Sequence, residues 1–290
     1  MSEQEFREIS KGFYIEPACE TAFRNLGLTS IDAVFSFQGG KDLAKKNMAG
    51  FRSRLQFEID KSPSSPTTVF LKRYNRPPVM TQLKNWLSHR ARISCGYADF
   101  YPAKELLAEG IGAPQTVAFG QDHGVLFERR SFVIMEEITD AESIERELPE
   151  CFGADKTAGN LKLRRDFIAG LAAFVKKFHE TGFRHRDLYF SHIFHGGNGQ
   201  FHLIDLARAF KPALLAERYR KKDIAQLFYS APGACFSRTD RLRFYRVYAG
   251  CPKLQGKDKD FIRKILNRAN RMARHDVKHG RTVPFADSGP

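Results

Sequence analysis

Two aspartates eighteen residues apart, each at a different kind of structural boundary, restrict the folds open to this chain more than any other feature. The first, Asp187, closes His185-Arg186-Asp187 shortly after Phe167, Leu171, Phe174, Val175 and Phe178. That spacing predicts a buried amphipathic helix, stopped at Gly182. The second, Asp205, follows the apolar run His202-Leu203-Ile204. Between them, residues 193–194 and 201–204 flank Gly196-Gly197-Asn198-Gly199, which predicts a β-hairpin. A hairpin this short places both carboxylates on one wall of a cleft without a long flexible loop.

Upstream, β-type alternation predicts strands over 33–38 and 53–59, joined by a turn running from Gly39-Gly40-Lys41 to Gly50, and a further strand over 67–72. Past Pro77-Pro78, Val79, Leu83, Trp86 and Leu87 share one face of a predicted helix. A second helix over 98–109 ends at Gly110, a residue suited to a left-handed C-terminal position. Residues 132–135 read as a strand leading into the connector Glu136-Glu137-Ile138. Helices dominate the second half, the last over 258–279, and disorder is expected only at the first few residues and from Thr282 onward. The expected fold class is α+β: a β-rich lobe over 1–138, a mostly helical lobe over 139–290, and a cleft between them.

Several function classes drop out on composition. No apolar run approaches the ~20 residues that span a bilayer. The first 30 residues contain Glu3, Glu5, Glu8 and Glu16 and do not read as a secretory signal. Five scattered cysteines, with no Cys-x-x-Cys pair, argue against a disulfide framework or a zinc site and fit a reducing cytoplasm. The formal charge of +14 favours polyanionic partners: nucleic acid, an anionic membrane face or a phosphorylated substrate.

The aspartate pair suits phosphoryl transfer, in which one carboxylate orients the attacking hydroxyl and accepts its proton while another holds a divalent metal against the phosphates. Asp187 fits the first role and Asp205 the second. At this point the chain resembles the eukaryotic-like kinase superfamily, whose His-Arg-Asp loop precedes a metal-binding Asp. Lys72, at the end of Val69-Phe70-Leu71, matches the lysine that contacts the α- and β-phosphates. A helix-borne carboxylate should hold it, Asp99 as first choice and Glu105 as second. The resemblance further implies adenine contacts with main chain at Glu136 and Ile138, and phosphate contacts near Gly39 and Gly40. Asp223 either braces the catalytic loop or caps a helix.

Departures from protein kinases narrow the resemblance. Tyr189 and His192 stand two and five residues after Asp187, where protein kinases carry Lys and Asn, and Leu206-Ala207-Arg208 replaces Phe-Gly after Asp205. The runs His185-Arg186-Asp187-Leu188-Tyr189-Phe190-Ser191-His192 and Ile204-Asp205-Leu206-Ala207-Arg208-Ala209 resemble the Kdo/WaaP lipopolysaccharide kinase family. Phe70-Leu71-Lys72, Glu109-Gly110-Ile111 and Ser131-Phe132-Val133-Ile134 extend the likeness over roughly residues 50–280. It implies ATP with Mg²⁺, or Mn²⁺ in its place, and a heptose or Kdo hydroxyl of the lipopolysaccharide core oligosaccharide as acceptor. It also implies action at the cytoplasmic face of the inner membrane; a monomer with no nucleic acid partner is expected. The family usually has Glu where Asp99 stands, so a longer or bent ion pair to Lys72 is expected. His192 is expected to bond Asp205 or a phosphate oxygen, to ligate a softer metal alongside Asp205, or simply to pack. Two further readings stay open: a kinase for proteins or other small molecules, and a catalytically silent module that binds polyanions.

The charge is unevenly spread. Residues 61–98 hold seven Lys/Arg and no Asp or Glu, together with the only tryptophan, Trp86. A basic amphipathic helix with an aromatic at headgroup depth, meeting an anionic membrane surface or substrate, is the expectation there. Residues 257–281 hold nine basic and three acidic residues on a helix that should pack one face on the second lobe.

Overall fold

The computed structural model describes residues 6–43, 50–62, 65–151 and 158–284. Residues 44–49 of the expected glycine turn, and the chain ends before 6 and after 284, lie outside the described residues. The chain forms two compact units, Met1–Thr139 with Asp205–Phe210, and Asp140–Ile204 with Lys211–Pro290. The segment 205–210, expected in the second lobe, thus belongs with the first.

In the first unit, the strands among the described residues are β1 (Arg7–Ser10), β2 (Phe13–Ile15), β3 (Lys41–Asp42), β4 (Arg52–Ser62), β5 (Ser65–Asn75), β6 (Thr116–His123) and β7 (Glu128–Glu136). They build an antiparallel sheet in the order β1-β2-β6-β7-β5-β4-β3. Helices α1 (Glu20–Asn25), α2 (Ile31–Ser36), α3 (Val79–His89) and α4 (Cys95–Ala108) accompany it. Strand alternation sends Val69 and Leu71 of β5 into a core with Leu55, Phe57, Val117, Phe132 and Ile134.

The strand expected over 33–38 is instead α2. Ser30 caps it by accepting from the Ala33 amide at 3.1 Å, and Ile31 and Val34, three apart, turn into the core. The apparent alternation of Val34, Phe35, Ser36 and Phe37 was a short helix followed by Phe37, whose ring meets Phe57 edge-on.

The second unit carries a small sheet in the order β10-β9-β8, from β8 (Ala141–Ser143), β9 (Ile193–Gly196) and β10 (Phe201–Leu203). Its helices among the described residues are α5 (Ile144–Cys151), α6 (Ala158–Glu180), α7 (Ala216–Ser230), α8 (Arg238–Ala249) and α9 (Gly256–Lys278). Helix α6 packs on α8, and α7 on α9, with Phe261, Ile265 and Ala269 facing inward as expected of the basic last helix. The tail, expected loose from Thr282, is held at Pro284, whose carbonyl accepts from Gly233. No helix among the described residues is long and apolar enough to cross a membrane.

Candidate active site

The first unit brings Lys72, Asp99 and Asp205 together. Lys72 projects from β5, and its ammonium donates to both Asp99 oxygens, at 3.1 and 2.9 Å. Asp99, on α4, is fully buried and also accepts from the Tyr74 hydroxyl at 2.8 Å. Beside that buried carboxylate the Tyr74 phenol is pushed well above its usual range, first by burial and then by Asp99. The shorter Asp does not lengthen the ion pair as expected, because α4 sits close to the sheet. At Gly96, one turn before Asp99, an added Cβ would meet the Phe132 carbonyl oxygen at 2.8 Å. Glu105, the second choice, lies further along α4 and bonds Tyr101 instead.

Asp205 Oδ1 lies 3.9 Å from the Lys72 ammonium and 3.9 Å from the Arg54 guanidinium. Sequence reasoning missed Arg54. Its only signal was register: Arg54 faces Lys72 directly across β4 and β5. Like charges placed opposite one another destabilise a sheet unless an anion sits close to both, and Asp205 does. The Asp205 backbone is left-handed, with φ of 57°, a conformation that costs a non-glycine residue about 1–3 kcal/mol. The turn Leu206–Arg208 that follows buries Leu206 and packs on α4.

Of the expected nucleotide contacts, the Glu136 amide is taken by the Gln115 carbonyl at 2.8 Å and the Glu137 amide by Thr68 at 2.9 Å. The Glu136 carboxylate pairs with Lys61 at 2.6 Å. The Glu136 N–H is therefore engaged by the protein itself. The Ile138 amide has no hydrogen-bond partner among the described residues. Gly40 has φ of 103° and no room for a side chain, since a Cβ would meet the Gln56 carbonyl oxygen at 2.3 Å. Gly39 precedes it at the mouth of the turn.

In the second unit a single buried carboxylate organises the catalytic loop. Asp223 lies within α7, not at its cap, and accepts from the His185 and Arg186 amides at 2.8 Å each. His179 Nε2 lies 3.3 Å from the same group, and burial holds the His179 imidazole below its usual range, against the pull of Asp223. The loop then ties to the hairpin: His185 Nε2 donates to the Ile204 carbonyl at 3.0 Å, and the Ile204 amide donates to His192 at 3.0 Å.

His192 Nδ1 lies 2.7 Å from the Asp187 carbonyl oxygen. A carbonyl only accepts, so Nδ1 carries a proton and points away from any ligand, which leaves Nε2 as the ring nitrogen for other partners. Tyr189 is held through its hydroxyl by Gln226 at 3.1 Å. The Asp187 carboxylate has Lys222 of α7 3.6 Å away, and the Lys222 ammonium also donates to the Arg186 carbonyl. Sequence reasoning missed Lys222, although it sits beside Asp223. It places near Asp187 the cation that protein kinases carry two residues further along the loop, where this chain has Tyr189.

The profile of the lipopolysaccharide kinase (Kdo/WaaP) family matches residues 52–248, which include every one of these groups apart from Gly39 and Gly40. The chain belongs to that family. It is 29% identical over 223 residues to the lipopolysaccharide core heptose(I) kinase WaaP of Escherichia coli K12, spanning 74% of this chain and 78% of the relative. The protein of the same description from Pseudomonas aeruginosa is 27% identical over 174 residues, 57% of this chain and 63% of that one. A solved structure of WaaP in complex with acyl carrier protein shares the fold, with TM-score 0.64, 23% identity, and coverage of 87% and 95% of the two chains. As a member of this family the protein is a kinase of lipopolysaccharide core, a phosphotransferase acting on a sugar hydroxyl, and ATP is the donor that a kinase implies. The α+β kinase-like fold expected from the motif order is the fold observed.

The donor set suits a hard divalent ion. No group of three or more His, Cys, Asp or Glu that could cage a metal occurs among the described residues. Mg²⁺ is ordinarily held by one or two carboxylates together with substrate phosphates and water, and Asp205 offers one such carboxylate.

Proposed function

We propose that this kinase phosphorylates a heptose hydroxyl of the lipopolysaccharide inner core, with Lys72, Asp99, Asp187, His192 and Asp205 as its working residues. The observation that carries the reading is the buried Lys72–Asp99 pair, with Asp205 and Arg54 converging beside it. A lysine fixed by a carboxylate that is wholly out of water has one ammonium face left to offer, and the α- and β-phosphates of ATP are the chemistry that fits it. Arg54 would bind the same phosphates, and the Gly39–Gly40 turn would approach them with backbone alone. Adenine would bond the Ile138 amide.

Asp205 would hold Mg²⁺, which when bound draws charge from the phosphate oxygens. Mn²⁺ would also accept the His192 Nε2 lone pair. Asp187 would orient the sugar hydroxyl and take up its proton, and Lys222 would keep that carboxylate aligned. His179 and Asp223 hold the loop and touch no reactant. The acceptor is carried by a membrane-anchored glycolipid, so the enzyme would work as a peripheral protein at the cytoplasmic face of the inner membrane.

A second partner has its own support. The second unit encloses an apolar cavity of about 690 Å³ among α6, α7, α8 and α9, lined by Phe167, Leu171, Ile224, Leu227 and Phe236, with Arg238 at its edge. It would suit the acyl group of the acyl carrier protein named with the solved relative. Acyl-loaded carrier should raise the melting temperature more than unloaded carrier, and equal effects would remove the cavity from the interaction.

Purified enzyme, ATP and Mg²⁺ with enzymatically dephosphorylated core oligosaccharide should yield an oligosaccharide carrying one added phosphate, located on a heptose by tandem mass spectrometry. Phosphorylation of generic protein substrates with none on the oligosaccharide would overturn the proposal, as would polyanion binding without any phosphoryl transfer.

A further inference from the structure

Helix α3 carries its apolar residues the wrong way round for a helix packed on a core. Val79, Met80, Leu83 and Leu87 share one face at helical spacing, yet all four are exposed, Met80 at 63% and Leu87 at 80%. The inward side is held by other means. Gln82 is buried and exchanges hydrogen bonds with the Pro77 carbonyl at 2.8 Å and the Glu128 amide at 2.8 Å. Trp86 stacks on Phe127, with ring centroids 5.6 Å apart, and donates to the Ile93 carbonyl at 3.0 Å. The tryptophan expected at headgroup depth is therefore a strut between α3 and the β6–β7 connection.

That connection extends the apolar face. Its tip exposes Val125 at 102% and Leu126 at 54%. Arg92 fastens the tip to the helix end by donating to the Val125 carbonyl at 3.1 Å while lying over the Trp86 ring. Exposed cations surround the patch: Arg76, Lys84, Arg90 and Arg92. The acids flanking the tip on the hairpin are both engaged: Asp122 is paired with Arg129 at 3.0 Å and Arg130 at 3.6 Å, and Glu128 is buried, accepting from the Cys95 amide at 2.8 Å. Six large aliphatic side chains presented outward on two braced elements inside a cationic rim exceed the scattered apolar exposure of an ordinary surface.

We infer that α3 and the Val125–Leu126 tip form a membrane-insertion surface, in which the aliphatic side chains enter the acyl region of an anionic bilayer and the surrounding Lys and Arg side chains meet lipid phosphates. Charge decides for this occupant over a second copy of the chain, since the patch carries only one sign and would repel its own image. Outward aliphatics with a snorkelling cationic border are the pattern of interfacial helices. The inference deepens the proposed action on a membrane-borne sugar and rests on that reading, and a vesicle assay tests it without phosphoryl transfer.

Flotation of the full-length protein with vesicles of phosphatidylcholine and phosphatidylglycerol should show binding that weakens with salt. Leu87→Gln with Val125→Ser, both at exposed positions, should lower the partition coefficient at least about tenfold, because each aliphatic side chain withdrawn from an apolar phase costs roughly that much. Kinase activity on soluble oligosaccharide should be unchanged. Lys84→Gln with Arg90→Asn should weaken binding to anionic vesicles and reduce its salt dependence, leaving the part carried by Arg76 and Arg92. Unaltered vesicle binding by the aliphatic double variant would overturn the inference. So would a concentration-dependent dimer in sedimentation velocity that the same variant abolishes. Failure of the oligosaccharide assay with normal vesicle binding would instead count against the substrate.

Discussion

Replacing Lys72 by methionine should destabilise the first unit as much as it harms nucleotide binding. Asp99 is fully buried and accepts three hydrogen bonds, two from Lys72 and one from Tyr74. Methionine fills much of the volume but removes the opposing charge and two donors, leaving a carboxylate with a single neutral partner. Removing one member of a buried pair typically costs about 3–5 kcal/mol, far above the ~0–1 kcal/mol of an exposed pair. At roughly 2–4 °C per kcal/mol for a unit of this size, melting should fall by about 6–20 °C. Urea unfolding of wild type, Lys72→Met, Asp99→Asn and the double variant would close the cycle. The double variant should regain most of the loss, because no charge is then left buried. A loss below about 1 kcal/mol in Lys72→Met, or a double variant no better than that single one, would refute the claim that Asp99 depends on Lys72.

Three other outcomes follow from the geometry. Asp187→Asn should lower turnover by about 10²–10⁴-fold with ATP affinity nearly unchanged in calorimetry, and a smaller loss would deny it the role of base. Asp205→Asn should weaken Mg²⁺-ATP binding while leaving metal-free nucleotide binding in place; calorimetry with and without chelator separates the two. His179 is held below its usual range by burial, so the unfolded chain takes up its proton first as pH falls. Its contribution to stability is complete above about pH 6.5 and is lost below it, at up to ~1.4 kcal/mol per pH unit. His179→Gln should flatten that part of the stability–pH curve by one proton, a change that urea titrations from pH 7.5 to pH 5 would resolve.

What could be read from the sequence was what neighbouring residues determine. The helix stop at Gly182, the glycine hairpin and the two aspartates are local patterns, and the lysine three apolar residues into a strand announces itself. The pairing of Lys72 with Asp99 was within reach because only a short helix carries a carboxylate at a suitable distance along the chain. Arg54 and Lys222 were invisible for a shared reason: each reaches the site across a register or a helix face that no spacing rule reports. The α2 segment was misread because Val34 and Phe35-Ser36-Phe37 alternate like a strand, and the decisive Ser30 cap lies outside that window. Trp86 was misplaced because helical periodicity identifies a face without saying which way it points.

The assignment of Asp205–Phe210 to the first unit has a practical consequence for dissecting the enzyme. The boundary after Thr139 looks like a natural place to divide the gene, yet a fragment ending there would lack the six residues that bring Asp205 to Lys72 and lay Leu206 on α4. Split versions made at that joint would need the second fragment to lend its segment back before either could bind nucleotide, so complementation between them would report on the return of residues 205–210 rather than on lobe folding alone.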